Sequence, residues 1–305
     1  MPEPHTLLDP AFVRELEALR RRLEVNVRSG AAGERASRRR GGSAEFQDHR
    51  PYAPGDDLRR VDWAAFARTG EPVLKLFRAE EDSILRLLVD ASASLAFGAP
   101  QKLEVARRVA AAIGYLALAN GQRTQVLVAR EPGDAPSGTG TGRGLERVGS
   151  PHRGRDALAA LLRELSAPVG AGSADLARAV EVTLRRSARP GLLVVVSDFL
   201  DPGPVTRALS HACAAGHQVA LVQVLAREEL EPSFDGDFSL VDAETHAEVE
   251  LGMDAAAIDA YVARLAGLID ELRSWSRRHR ASYVRTSNDE PIEGAVRRFV
   301  ARAVD

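Results

Sequence analysis

The chain has 305 residues and 45% of them are hydrophobic, so it can bury the core of one large domain or of two ordinary ones. Its formal net charge of −2 at pH 7 and its pI near 6.4 give no overall attraction to nucleic acid or to an anionic membrane. The single cysteine, Cys213, excludes an internal disulfide and a cysteine-rich zinc site, and it fits a reducing compartment.

The sequence shows neither a signal peptide nor a membrane span. Residues 1–5 lack the basic start and the apolar centre of a signal peptide. The longest nearly uncharged apolar segment, residues 109–119, is much shorter than the roughly 18–20 residues that a helix needs to cross a bilayer. We therefore expect a cytoplasmic protein.

The N-terminal region combines a predicted helix with an arginine-rich segment. Apolar residues recur at helical spacing over 12–27, and residues 28–42 have no apolar period, which indicates a mobile arm or loop. A basic arm could bind nucleic acid or an acidic partner. However, only Lys75 and Lys102 of the 41 basic residues are lysines, which leaves 39 arginines. This general bias favours a solvated loop over a dedicated binding patch.

A second charged segment, residues 45–63, surrounds two aromatic side chains. Pro54-Gly55 is a turn signal, and Asp56 or Asp57 can cap a short helix that follows. Two interpretations stay open. In one, arginine and aspartate side chains of the segment pair into a hydrogen-bonded corner. In the other, the segment is a partner-binding surface, with the candidate residues Arg50, Tyr52, Asp56, Asp57, Arg59, Asp62 and Trp63.

From residue 71 onwards, apolar runs typical of strands alternate with helical periods of ten or more residues. Strands are predicted near 71–77, 84–89, 124–129, 145–148, 192–197, 217–225 and 281–286, and helices over 101–120, 155–165, 174–186, 205–215, 254–279 and 292–300. This alternation predicts an α/β fold in which a mostly parallel sheet carries helices on both faces. We divide the chain into residues 1–80, with the helix, the arm and the charged segment, and residues 81–305, with the sheet.

Oxygen-bearing side chains follow two of the buried strands. The run at 84–89 ends in Asp90, Ser92 and Ser94, and the run at 192–197 ends at Asp198. If these strands are neighbours, all four side chains meet Ser173 of an intervening loop at one edge of the sheet. Carboxylates and hydroxyls are hard ligands that suit Mg²⁺ or Mn²⁺. We therefore predict a metal site at this edge.

Each of these residues also has an ordinary structural interpretation. Asp90 or Ser92 can cap the next helix, Ser173 is well placed as the N-cap of the helix at 174–186, and Asp198 can belong to a turn. Only their joint position at strand ends favours the metal. The glycine-rich segment 131–144 contains neither a Gly-x-x-x-x-Gly-Lys-Ser/Thr nor a Gly-x-Gly-x-x-Gly pattern, so it is not a phosphate loop.

Two linked motifs resemble those of known families over roughly residues 35–225. The order Asp90-x-Ser92-x-Ser94, hydroxyl loop and strand-terminal aspartate resembles the metal-ion-dependent adhesion site (MIDAS) of von Willebrand factor A domains. The charged segment is similar to the signature of the bacterial domain-of-unknown-function 58 family, through Glu45-Phe46, Arg50-Pro51-Tyr52, Pro54-Gly55-Asp56-Asp57-Leu58-Arg59 and Val61-Asp62-Trp63.

The resemblance implies a Rossmann-like A-type domain that binds proteins and is not an enzyme. It implies that Asp90, Ser92, Ser94, Ser173 and Asp198 hold the metal, although position 173 is serine where the adhesion site usually has threonine. It also implies a partner, a MoxR-type ATPase of the AAA+ class, for which this chain would be an adaptor or co-chaperone.

Two other hypotheses compete with the protein-binding module. Acidic strand ends also serve Mg²⁺-dependent hydrolases and phosphotransferases. Against this function, Asp90 has no second aspartate two residues later, no histidine follows closely, and we expect no lysine near the site loops. In the third hypothesis the fold is the same and the serines only cap a helix.

Overall fold

A computed structural model describes residues 7–27, 44–54, 56–58, 61–79, 84–131, 144–187, 189–232, 236–241, 243–244, 248–253 and 255–303. The predicted arm at 28–42 and nearly all of the glycine-rich segment, residues 132–143, lie outside these ranges. The chain forms two compact units, one of Met1–Val27 with Ile84–Asp305 and the other of Arg28–Ser83. The segment that we predicted as residues 1–80 is therefore divided between both units.

The helices and strands alternate along most of the chain. The helices are α1 (Pro10–Val27), α2 (Trp63–Thr69), α3 (Lys102–Ala119), α4 (Leu158–Ser166), α5 (Leu176–Arg186), α6 (Pro202–Ala214), α7 (Arg227–Leu230), α8 (Ala255–His279) and α9 (Ile292–Ala303). The strands are β1 (Ala44–Pro51), β2 (Val73–Ala79), β3 (Ile84–Asp90), β4 (Arg123–Ala129), β5 (Arg147–Val148), β6 (Leu192–Ser197), β7 (Gln218–Leu225), β8 (Gly236–Val241), β9 (Glu248–Met253) and β10 (Ser282–Ser287).

The larger unit is built on a six-stranded sheet with the order β10-β7-β6-β3-β4-β5. All neighbouring pairs are parallel except β4 with β5. Along β3, Leu87 and Val89 join the apolar cluster on one face and Leu88 joins the cluster on the other. A strand that is buried on both faces reads as a continuous apolar run, as predicted. The predicted α/β fold class, a mostly parallel sheet with helices on both faces, is confirmed.

Helix α1 belongs to the sheet unit because its apolar face is buried there. Phe12, Leu16 and Leu19 are part of the cluster that also contains residues of α3, α4 and α9. Two ion pairs support this packing, one between Glu15 and Arg108 of α3 at 3.0 Å and one between Arg22 and Glu293 of α9 at 2.8 Å. The helix predicted over 12–27 is confirmed.

The smaller unit contains an antiparallel pair of strands and one short helix. Strands β1 and β2 pair from Ala44↔Ala79 to Pro51↔Val73, with an irregularity between Phe46 and Asp48. Helix α2 is capped by Asp62, whose side chain accepts from the backbone N–H groups of Ala64 and Ala65 at 3.1 Å. The prediction of Asp56 or Asp57 as the cap was wrong, because the helix begins one turn later than the apolar spacing indicated.

The structure contains further elements that the sequence did not predict. These are β1, the short helix α7 and the hairpin of β8 with β9. The N-cap of α5 is Asp175, which accepts from the N–H of Arg178 at 2.8 Å, so the predicted cap Ser173 was wrong. Among the described residues, no helix is both long and apolar enough to cross a membrane.

Candidate metal centre

Asp90 and Asp198 lie at the edge of the sheet where the strand order reverses. Strand β3 has β4 on one side and β6 on the other, and β3 and β6 run parallel from Leu85↔Leu192 to Val89↔Val196. This confirms the neighbouring strands that the sequence prediction required. In open α/β sheets such a reversal forms a crevice at the carboxyl ends of the strands. Both aspartates are buried there.

Asp90 is held in place by the two segments beside it. Its Oδ1 accepts the N–H of Ser92 at 2.9 Å, and its Oδ2 accepts the hydroxyl of Ser197 at 2.7 Å. The hydroxyl oxygens of Ser92 and Ser94 lie 3.0 Å apart. A carboxylate with fixed orientation therefore lies beside a pair of hydroxyl oxygens, as a hard cation requires.

The loop that carries Ser173 is bound to the serine segment through the backbone. Ala93 donates to the carbonyl of Gly172 at 2.8 Å, and Ala171 donates to the carbonyl of Ala91 at 3.1 Å. The carbonyl of Ser173 itself accepts from Glu131. Because Asp175 caps α5, the exposed side chain of Ser173 is not the N-cap of that helix. The structure thus brings the predicted third loop to the site.

A lysine lies at this site, which contradicts the expectation that none would. Lys102, the first residue of α3, is fully buried, and its ammonium group donates to Asp198 Oδ2 at 2.9 Å and to Glu229 Oε1 at 2.6 Å. In an α/β fold the helix after a strand begins at the carboxyl edge of the sheet. Lys102 therefore reaches the site although it lies 12 residues after Asp90 and belongs to no motif.

Asp198 is also fixed from the side of β10. Its backbone carbonyl accepts the amide Nε2 of Gln223 at 2.8 Å, and the hydroxyl of Tyr283 donates to Gln223 Oε1 at 2.6 Å. All of these groups are buried, and burial raises the pKa of Tyr283 to about 12. The segment after β6 is therefore held at two points of Asp198, by Lys102 at its side chain and by Gln223 at its backbone carbonyl.

The charges at the site are unevenly matched. Burial and, to a smaller extent, the nearby charge of Asp198 raise the pKa of Asp90 to about 7, against the hydrogen bonds from Ser197 and Ser92. For Lys102, burial lowers the pKa, but the charges of Asp198 and Glu229 outweigh it and the net shift is upward. The lysine thus stays charged and forms ion pairs with Asp198 and Glu229, whereas Asp90 has no cation of its own in the described part of the chain.

The donor set fits a small oxygen-seeking cation with few charged ligands. Within the described ranges, no three His, Cys, Asp or Glu side chains are grouped to hold a metal. Any ion here would depend on the hydroxyls of Ser92 and Ser94 together with Asp90. Asp198 offers less than we predicted, because one of its oxygens is already bonded to Lys102.

The charged segment of the smaller unit has a different geometry. Arg50 donates two hydrogen bonds to Asp56, at 2.8 and 2.6 Å, and Asp56 also accepts the N–H of Ala53 at 2.9 Å. The hydrogen bonds from Arg50 hold the pKa of Asp56 below its usual range. Asp62 is buried as the cap of α2. These contacts match the interpretation as a hydrogen-bonded corner.

The remaining partner-surface candidates are partly accessible. Trp63 is 60% exposed and contacts the ring of Phe66 edge-to-face at 6.1 Å between centroids. Tyr52 is half-buried and Asp57 is exposed. Arg59 lies outside the described residues. The surface role of this segment stays a prediction.

The chain is similar to a known protein family, to uncharacterized relatives and to several solved structures. The profile of the family described as "Protein of unknown function DUF58" matches residues 48–267. An uncharacterized protein of Mycobacterium tuberculosis, Rv1480, is 32% identical over 280 residues, which cover 91% of this chain and 82% of the relative. The solved structure of the conserved hypothetical protein BatB from Bacteroides thetaiotaomicron aligns with a TM-score of 0.40 and 16% identity over 73% of this chain and 100% of its own. A von Willebrand factor type A structure from Catenulispora acidiphila aligns with a TM-score of 0.39 and 12% identity over 76% of this chain and 44% of its own.

Proposed function

We propose that this chain, which belongs to the DUF58 family, is a non-enzymatic protein-binding module that takes up a partner's carboxylate at its candidate metal centre. The observation that carries the proposal is the convergence of three loops on a buried carboxylate that has no cation of its own among the described residues. Ser92 and Ser94 lie beside Asp90, the loop of Ser173 is bound to the serine segment, and Asp198 raises the pKa of Asp90.

Asp90, Ser92 and Ser94 would hold Mg²⁺ or Mn²⁺, and Ser173 and Asp198 would complete the site. When bound, the ion would supply positive charge and an open coordination position for an outside carboxylate. The residues of the chain prepare this role. Ser197 fixes Asp90, the buried strands keep the edge rigid, and Lys102 limits the negative charge, so that the site does not neutralise the ion completely.

The resemblance to MoxR-associated proteins suggests the partner. A MoxR-type AAA+ ATPase would supply the energy of ATP hydrolysis, and this chain would act as its adaptor or co-chaperone. No phosphate-loop pattern occurs in the sequence, so the module would depend on its partner for nucleotide chemistry.

A second candidate function is a Mg²⁺-dependent hydrolase or phosphotransferase, and Lys102 is the observation in its favour. A buried lysine beside an acidic strand end can bind a phosphoryl group. Here, however, both carboxylate partners of its ammonium group lie within the protein, at 2.9 and 2.6 Å. In the described part of the chain no histidine hydrogen-bonds Ser92 or Ser94, so neither serine has a base for nucleophilic attack.

Calorimetric titration with Mn²⁺ and with Mg²⁺ tests the metal claim. We expect the native chain to bind at least one of these ions and Asp90→Ala to lose the binding heat. Asp201→Ala is a matched control, because Asp201 is an exposed aspartate three residues after Asp198 whose side chain makes no cap hydrogen bond. Equal heats from the native chain and from Asp90→Ala would contradict the proposal.

Capture of a purified MoxR-type ATPase on the immobilised chain tests the partner. Retention in Mg²⁺ that is lost in EDTA and in Asp90→Ala is the expected result. Metal-dependent turnover of a panel of phosphate and ester substrates, abolished by Asp90→Asn, would instead establish the enzyme.

A further inference from the structure

An arginine-lined groove lies along the outer edge of the sheet, formed by β10, the end of α8 and α9. The cavity measures about 820 Å³. Strand β10 is the last strand of the sheet on this side, so it has no neighbouring strand beyond it. Among the described residues, six arginines line the groove, together with a single carboxylate, Glu290: Arg273, Arg277, Arg280, Arg285, Arg298 and Arg302.

The density of arginine in the groove exceeds the general bias of the chain. Six of the 15 lining residues are arginine, against 39 arginines in 305 residues overall. The lining carries six positive charges and one negative charge, although the whole chain has a net charge of −2. The groove is therefore richer in positive charge than the chain as a whole.

In the part of the chain that the structure describes, most of this charge has no acidic partner. Arg298 binds Glu290 through two hydrogen bonds at 2.6 and 2.8 Å, and Arg273 lies 3.2 Å from Asp270. Over the described ranges, the other four make no ion pair with a carboxylate: Arg277, Arg280, Arg285 and Arg302. Unpaired guanidinium groups that face one cavity repel each other, so an anion in the groove would relieve this repulsion.

Backbone contacts hold two of the guanidinium groups in fixed positions. Arg302 donates to the carbonyl of Tyr283, and Arg298 donates to the carbonyl of Arg285 at 2.9 Å. These carbonyls belong to the open edge of β10. The groove therefore presents side-chain N–H groups at this edge in place of unpaired backbone carbonyls. Because these two side chains are already held in place, they lose little conformational entropy when a ligand binds.

Arg280 lies in the groove at some conformational cost. It follows the end of α8 with φ of 52°, in the left-handed region where glycine is usual at this position. A non-glycine residue is less favourable there than glycine, because its Cβ lies close to the following carbonyl oxygen. The chain thus has a large charged side chain where a glycine would fit the backbone better, which points to a use for the charge.

We infer that this groove binds an extended acidic segment of a protein partner, one that carries several Asp or Glu side chains. Guanidinium groups match carboxylates through paired hydrogen bonds. A nucleic acid fits less well, because a longer polyanion would extend beyond the groove onto a chain that is negative overall and would repel it. The site is separate from the candidate metal centre and needs no metal.

Fluorescence anisotropy with a labelled ten-residue peptide of alternating Glu and Gly tests the inference, in EDTA so that the metal centre cannot contribute. The native chain should bind this peptide with an affinity that falls as salt rises, and it should not bind the Gln-Gly peptide of equal length. The double variant Arg280→Gly with Arg285→Gln should bind about tenfold more weakly. Arg280→Gly suits the backbone, so a thermal midpoint no lower than that of the native chain would show that the fold is intact.

Arg163→Gln is the matched control, since Arg163 is an exposed arginine on α4, which packs beside β4 away from the β10 edge. It should bind the peptide as the native chain does. Equal affinities of the native chain and the double variant, or no binding at all in low salt, would overturn the inference. Tighter binding of a labelled ten-nucleotide oligothymidylate than of the Glu-Gly peptide would also overturn it, in favour of a nucleic-acid site.

Discussion

Asp90 in the sheet unit and Asp56 in the smaller unit are aspartates of predicted sites with opposite surroundings. Asp56 is paired with Arg50, and this pairing lowers its pKa. Asp90 is buried near a second carboxylate, and its pKa is raised to about 7. Both residues make two or more hydrogen bonds, so the number of contacts does not distinguish them.

The difference lies in whether the protein supplies the opposite charge. At the corner of Arg50 and Asp56 the protein supplies it, and the contact explains why both residues are present. At the candidate metal centre Lys102 is the only cation among the described residues; it bonds to Asp198 and Glu229, and Asp90 is left without a cation. A buried carboxyl group that the fold leaves without a cation, and whose pKa is raised for that reason, is the better indication of a ligand.

The largest expected effect is that of Lys102→Met on stability. This change leaves the buried Asp198 and the partly buried Glu229 without their cation, and we expect the free energy of unfolding to fall by about 3–5 kcal/mol in urea titrations. Adding Glu229→Gln should recover part of the loss, because one unpaired charge is removed. A loss below about 1 kcal/mol would show that the lysine does not balance the site.

The next effect concerns pH. Between pH 4 and pH 7 folded Asp90 holds a proton that the unfolded chain has released, so the free energy of unfolding should fall as pH rises through this window. Between pH 5 and pH 8, in EDTA, the expected loss is on the order of 3 kcal/mol. Asp90→Asn should remove it, and the measurement is urea unfolding of both proteins at both pH values.

The comparison with Asp90→Asn also separates the effect of Asp90 from that of His217, a second group whose pKa shift makes stability depend on pH. Burial and the charge of Arg86 lower the pKa of His217, so His217 acts in the opposite direction and stability is lost as pH falls below about 6.5. Because His217 is present in both proteins, the difference between their pH profiles reports Asp90 alone. If the free energy of unfolding changes with pH in the same way in both proteins, the pKa of Asp90 is not raised by burial.

The smallest effects on stability are expected in the hydrogen-bonded corner of the smaller unit. Asp62→Ala removes the cap of α2 and should destabilise this helix by about 1 kcal/mol, seen as faster hydrogen exchange over residues 63–69. Arg50→Ala removes an exposed pair and should leave the exchange of these amides nearly unchanged. If Arg50→Ala accelerates exchange as much as Asp62→Ala does, the corner depends on the ion pair after all.

Much of the sheet and the positions of four of the five candidate residues at its edge could be predicted because their signals are local. A buried strand is an apolar run, and its carboxyl end is the first polar residue after it, so Asp90, Ser92, Ser94 and Asp198 stand out. The weaker member, Ser173, lies in a loop whose position depends on backbone hydrogen bonds to Ala91 and Ala93. The sequence carries no sign of those contacts.

The predictions that failed depend on geometry that short-range patterns do not record. Several polar residues precede α2 and α5, and only the backbone path decided that Asp62 and Asp175 are the caps. Lys102 and Glu229 are 127 residues apart, and they meet because α3 and α7 both begin at the carboxyl edge of the sheet. The corner was resolved only by the hydrogen bonds of Arg50 with Asp56.

The place of α1 in the sheet unit sets the order in which this unit can be completed during synthesis. Helix α1 leaves the ribosome before α3, α4 and α9, yet its apolar face packs in a cluster with them. Its residue Arg22 pairs with Glu293, which lies 271 residues later. Residues 28–83 are made in between and form the other unit. Phe12, Leu16 and Leu19 therefore stay uncovered until α3 is made, and α9 closes the cluster last.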